Sequence, residues 1–159
     1  MQGTGLGTIK LLYSTNNGSS YDGTIATGVA SATGSPYQWA IPTNLLSTPF
    51  NDQMKLKIVQ EYDSTVESAS PNPFTIKARI LSLNLNGGQT LYVGDPYNIT
   101  WTTQGTVATV DLQYSTDGGT TWPPSGGGTI ATNTSNVGAF EWGTAGGVAD
   151  AIGTNVKVR

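Results

Sequence analysis

The chain of 159 residues contains no cysteine and no histidine. Without cysteine, no disulfide can staple the fold or report a redox compartment. Without histidine, the commonest general base is missing, along with most zinc sites and every Ser-His-Asp arrangement. Charge is scarce too: 11% of residues are charged, with 7 basic against 10 acidic side chains. No Lys/Arg cluster supplies a footprint for nucleic acid or for a membrane surface. No apolar run approaches the roughly 18 residues of a spanning helix. Helical spacing of apolar residues is also lacking, which excludes sustained amphipathic helices. Met1 is not followed by a basic and apolar leader, so a secretion signal is expected outside these residues.

What the chain has instead is repetition. Leu11 to Tyr21 (LLYSTNNGSSY) returns as Leu112 to Trp122 (LQYSTDGGTTW), with Ser14 matched to Ser115, 101 positions on. Gly23-Thr24-Ile25-Ala26-Thr27 returns as Gly128-Thr129-Ile130-Ala131-Thr132, and Trp39 as Trp142. Lys55-Leu56-Lys57-Ile58 is matched to Asn155-Val156-Lys157-Val158, a shift of 100. A period near 100 residues is the length of one β-sandwich domain.

Strict alternation marks the strands. Ile9, Leu11 and Tyr13, then Leu56 and Ile58, each keep one parity along their own strand in the first copy. Tyr97, Ile99 and Trp101, then Val110, Leu112 and Tyr114, then Val156 and Val158, do so in the second. Period two with one apolar face is a half-buried antiparallel strand. Between Phe74 and Leu85 the apolar set moves from even positions (Phe74, Ile76, Ala78, Ile80) to odd ones (Leu81, Leu83, Leu85). Such a change turns the buried face over, as expected where a strand leaves one sandwich for the next. It predicts domains at 1–79 and 80–159 joined by a short, stiff junction.

The two copies are out of frame with the chain. Met1-Gln2-Gly3-Thr4 aligns with Thr103-Gln104-Gly105-Thr106, so the first copy lacks a counterpart of Ile80 to Thr102. The second copy lacks counterparts of Val59 to Arg79. Burial of Phe74, Ile76 and Ile80 is expected to stabilise by about 1.5–3 kcal/mol each. Their loss would remove a large part of a domain stability of about 5–15 kcal/mol and leave an open strand edge. The expected fold is therefore all-β, two tandem immunoglobulin-like β-sandwiches each incomplete at one end. The missing strands would come from a longer array of repeats or from neighbouring chains by strand donation.

Asn86 to Gly94 (NGGQTLYVG), Ile99-Thr100-Trp101 and Val110 to Gly119 (VDLQYSTDGG) together resemble immunoglobulin-like or fibronectin-type-III-like repeats. Such repeats occur in tandem in large bacterial and archaeal cell-surface proteins, and the yeast cell-wall KNH-like domain is similar. The stretch Tyr62 to Ile76 resembles the end of such a repeat. The resemblance implies an extracellular, non-catalytic role at the cell surface: a surface layer, filament, sheath or adhesin stalk. Implied partners are neighbouring repeats of the same protein, with cell-wall polysaccharide as an alternative, and neither nucleic acid nor membrane insertion.

One motif carries site-like chemistry. Ser115, Asp117, Gly119, Thr121 and Trp122 fit the Asp-box pattern S-x-D-x-G-x-T-W. Asp117 is expected to accept hydrogen bonds from the turn backbone, Gly119 to take a positive φ, and Trp122 to pack beneath the hairpin. Asp-boxes recur once per blade in sialidase-like propellers. This chain has one full copy, since Ser14 to Tyr21 carries Asn16 for Asp and Tyr21 for Trp. A structural turn is the reading, with no catalytic, cofactor or metal residues assigned.

Other candidates are weaker. Glu61, Asp63 and Glu67 lie in a Ser-rich stretch that reads as a solvated loop, unlike the facing acids glycoside hydrolysis requires. Asp63, Asp95 or Asp117 could reach calcium, yet the D-x-D-x-D-G spacing is missing. Trp39, Trp101, Trp122 and Trp142 could stack on sugar, but their parity and repeat equivalence point to core packing. Sequons at Asn17, Asn98 and Asn133 occur at about the frequency chance supplies.

Overall fold

The computed structural model describes residues 7–31, 36–143 and 153–159. These residues contain no helix, and their eleven strands pair antiparallel throughout. The all-β expectation holds. The chain forms two compact units, Met1–Lys77 and Ala78–Arg159. The expected alignment of Met1 to Thr4 lies outside the described residues.

Unit 1 holds β1 (Thr8–Ser14), β2 (Gly23–Ala30), β3 (Phe50–Gln60), β4 (Glu67–Ala69) and β5 (Phe74–Lys77). They form a single sheet in the order β2-β1-β3-β4, with β5 also paired to β3. Its fully buried apolar side chain among the described residues is Met54, opposite Phe74 of β5. Val59 is buried as well, at 3% exposure.

Unit 2 holds β6 (Arg79–Leu83), β7 (Tyr97–Gln104), β8 (Thr109–Ser115), β9 (Gly128–Ser135), β10 (Ala139–Trp142) and β11 (Lys157–Val158). Two three-stranded sheets result, β10-β7-β6 and β11-β8-β9. Ile99 and Trp101 from β7, Trp142 from β10 and Leu112 from β8 make one core cluster. Both sheets thus contribute to a shared interior, consistent with a β-sandwich. Trp101 is tied in place by its indole N–H, which donates to Asn136 Oδ1 at 2.7 Å.

Three expectations are corrected. Phe74 to Leu83 is not one strand, because Ala78 separates β5 from β6. Ile80 was counted as buried and is 58% exposed; Leu81 is exposed too. The reason is a bulge: the β6–β7 ladder runs from Ile80↔Thr103 directly to Ser82↔Thr102, leaving Leu81 unpaired. An extra residue resets the alternation inside one strand. The parity change therefore marks this bulge, while the division between units falls at Lys77–Ala78. Second, Glu67 lies in β4 and pairs with Val59, so the Ser-rich stretch is not all loop.

Third, the last repeated strand is matched two residues off. β1 and β3 pair Ser14 with Lys55 and Tyr13 with Leu56, whereas β8 and β11 pair Ser115 with Lys157 and Tyr114 with Val158. Lys55 therefore corresponds to Lys157, a shift of 102 and not 100. Two independent contacts agree. Asn17 N–H donates to Gln53 O at 2.8 Å, and Gly118 N–H to Asn155 O at 2.7 Å. Lys57 lies 5.0 Å over the Tyr21 ring, and Arg159 lies 4.4 Å over the Trp122 ring.

Candidate functional site

The Asp-box turn connects β8 to β9. Ser115 ends β8 with 0% exposure, so its hydroxyl must be satisfied within the protein. It donates to Asp117 Oδ1 at 2.6 Å and accepts from Gly119 N–H at 2.9 Å. Gly118 and Gly119 have φ of 74° and 88°, a left-handed pair that side chains with a Cβ adopt at a cost.

Asp117 organises the rest. Oδ1 also accepts from Thr120 N–H at 3.0 Å and Thr121 N–H at 2.9 Å, and Oδ2 accepts the Thr121 hydroxyl at 2.6 Å. The Ser115 hydroxyl, then the Thr121 hydroxyl and backbone, hold this carboxyl well below the usual carboxylate range. Each donor favours the ionised form. Trp122 closes the turn by donating its indole N–H to Gly119 O at 3.0 Å. All five motif residues meet in one hydrogen-bonded knot.

Unit 1 builds the same knot with different chemistry. Ser14 is 1% exposed, donates to Asn16 Oδ1 at 2.7 Å and accepts from Gly18 N–H at 2.8 Å. Asn16 Oδ1 accepts from Ser20 N–H at 3.0 Å, as Asp117 accepts from Thr120 and Thr121. Asn17 and Gly18 take φ of 57° and 83°, matching Gly118 and Gly119. A neutral amide thus does the work of the carboxylate, at an Asn-Gly pair suited to left-handed backbone.

Behind each turn lies an aromatic stack. Tyr13 stacks on Trp39 with centroids 5.6 Å apart, and Tyr114 on Trp142 at 5.5 Å. The rings of Tyr13 and Tyr114 each cover a glycine on the paired strand, Gly23 and Gly128. Trp101 and Trp142 are 6% exposed, and Trp39 and Trp122 are half-buried. The tryptophans are packed into structure and do not form an exposed platform.

Three further acids are held by local partners. Asp63 accepts from the Thr65 hydroxyl and N–H, which keep its carboxyl below the ordinary value. Glu67 meets Lys57 at 2.6 Å, and Glu61 accepts from Gly28 N–H at 2.7 Å. Among the described residues, no three His, Cys, Asp or Glu side chains converge on a metal position. No helix there is long and apolar enough to cross a membrane.

The feature that sequence reasoning missed is a cleft of about 810 Å³ in unit 2. Its lining comes from Leu85 to Leu91 and Val93, from Gly153 to Val158, and from Trp142 and Gly118. Its size falls within the ~300–1,000 Å³ of ligand pockets. No local residue pattern announces it, because its lining comes from segments 60 or more residues apart in the sequence.

The chain matches no family model, no curated protein and no solved structure.

Proposed function

We propose that this chain is a non-catalytic structural repeat of an extracellular assembly, built from two immunoglobulin-like β-sandwich repeats and acting through repeat packing and β contacts between subunits. One comparison carries the reading. Leu11 and Leu112 are repeat equivalents on equivalent strands, yet Leu112 is 4% exposed and Leu11 only half-buried. Leu112 lies against Ile99, Trp101 and Trp142 from the opposing sheet. Among the described residues of unit 1 there is no second sheet to cover Leu11 and Ile58, and Ile58 is 45% exposed. An apolar sheet face of this kind favours contact with another subunit.

Chemistry supports the same conclusion. The acid with the most depressed titration, Asp117, spends both oxygens on backbone and hydroxyl donors of its own turn. Low net charge permits close lateral packing. A surface layer, filament, sheath or adhesin stalk would use a repeat in this way. Polysaccharide binding is less well supported, because none of the four tryptophans is exposed. Sedimentation velocity over a rising concentration series tests the reading. Growth of higher species is expected; a monodisperse chain at the highest concentration would refute it.

A further inference from the structure

We propose that Asn17 and Asn133 are acceptors for an N-linked glycan, one on each unit. This rests on the extracellular part of the assembly reading, because the glycosyl donor is met on the secretory route. The two sites themselves follow from comparing the units.

The count of sequons is no signal; their placement is the observation. Among the described residues, Asn17 and Asn133 are the non-glycine residues with positive φ, 57° and 49°. Each stands where the other unit has a left-handed glycine. Asn17 matches Gly118 in the turn, and Asn133 matches Gly28 in the irregular stretch of the edge strand. Glycine enters that backbone region at no steric cost, and Asn is one of the few other residues that enter it readily. Two places after each Asn stands a serine, Ser19 or Ser135, which completes Asn-x-Ser.

The surroundings leave both amides available. Asn17, Ser19, Asn133 and Ser135 are all exposed. Neither side-chain amide hydrogen-bonds to another described residue. By contrast, the amides of Asn16, Asn51, Asn84, Asn86 and Asn136 are engaged. The backbone beneath each site is fixed independently: Asn17 N–H donates to Gln53 O at 2.8 Å, and Asn133 N–H to Asp111 Oδ1 at 2.7 Å. A substituent on the side-chain amide leaves those bonds intact.

Both sites also lie outside a ladder. Asn17 is in the β1–β2 connection, and the β8–β9 register passes from Thr134 to Ala131, skipping Asn133. The third sequon, Asn98-Ile99-Thr100, is the contrast. Asn98 is exposed too, but it pairs with Glu141 in β7, the middle strand between β10 and β6. A transferase that draws its acceptor away from the sheet reaches Asn17 and Asn133 in the folded chain. It reaches Asn98 only when β7 opens.

The reaction class is oligosaccharide transfer from a lipid-linked diphosphate donor. Asn Nδ2 bonds to the anomeric carbon, and the bond from that carbon to the diphosphate oxygen breaks. The lipid diphosphate leaves with the electron pair, and one amide proton passes to a base of the transferase. Each glycan adds a bulky, solvated group, which would keep the β1–β2 turn and the β9 edge in water and direct subunit contact to other faces.

The test incubates the folded full chain with a purified oligosaccharyltransferase and a lipid-diphosphate-linked oligosaccharide. A short sequon peptide in the same tube proves enzyme and donor active. Occupancy is read by mass spectrometry after enzymatic deglycosylation in heavy-oxygen water. Asn17 and Asn133 should be occupied at least roughly tenfold more than Asn98. Asn17→Gly and Asn133→Gly, which copy the glycines of the other unit, should each abolish one site and leave the melting temperature in place. Occupancy of Asn98 equal to the other two, or an unmodified chain beside a modified control peptide, would overturn the proposal. Sedimentation of the unmodified chain scores assembly separately. A chain that self-associates yet takes no sugar would overturn these sites and leave the assembly reading standing; a glycosylated chain that stays monomeric would support the sites and remove that reading.

Discussion

The two serines that open the turns offer a replicated experiment within one molecule. Replacing Ser115 with Ala deletes the only side-chain acceptor that the structure gives Gly119 N–H, at 2.9 Å. The hydroxyl is closed to solvent, since Ser115 is 0% exposed, and Gly119 is half-buried. An alanine methyl offers nothing in return. Leaving a buried donor unsatisfied costs about 1–3 kcal/mol. For a unit of this size each kcal/mol lowers Tm by roughly 4–8 °C, so a central value near 2 kcal/mol predicts a drop of about 8–16 °C. Ser14→Ala should act alike on unit 1, where Gly18 N–H loses its acceptor at 2.8 Å. Differential scanning calorimetry of both variants and the parent would measure the shifts. A change below about 2 °C in both variants would refute the claim that these hydroxyls hold the turns.

Other predictions follow from the same geometry. Asp117 has a folded pKa depressed below its ordinary value, 3.8. Its contribution is therefore present above that value and is lost as pH falls below it toward the folded pKa. Asp117→Asn, which copies Asn16, should flatten the melting profile across that acid range, and an unchanged slope would contradict it. Leu112→Ala should cost about 2–5 kcal/mol and Leu11→Ala clearly less, by chemical denaturation; equal costs would argue that Leu11 is covered. Gly127→Ala should destabilise by more than about 1 kcal/mol, because φ is 68° and a Cβ would sit 1.9 Å from Tyr114 O. Arg159→Ala should lower Tm by roughly 2–8 °C in a melting scan, given that stacking on Trp122 at an exposed site is worth about 0.5–1 kcal/mol.

How far the sequence could be read depended on what each signal encodes. Alternation at Tyr97-Ile99-Trp101 and Val110-Leu112-Tyr114 states a buried face directly, and those residues are buried or half-buried. The Asp-box residues were legible because their contacts are local, spanning two to four positions. Ile80 is misplaced by the sequence reading because the parity change that marks the bulge reads equally as a strand passing from one sandwich to the next. The register shifts in the β1–β2 and β8–β9 ladders show only as residues at positive φ, Gly28 at 66° and Asn133 at 49°. The offset of β11 escaped because a period of two is blind to a slip of two. The cleft went unseen because its lining is assembled from segments distant in sequence.

That blindness raises the question of what fixes each ladder in the folded protein. Tyr13 sits opposite Gly23, and Tyr114 opposite Gly128. A Cβ at either glycine would meet the ring at 2.1 Å or 2.5 Å. Sliding the partner strand by two places would bring Ile25 or Ile130 under the phenol, where no flat ring fits. The glycines act as pegs: a missing side chain selects one alignment among several that polarity alone would accept, once in each half of the protein.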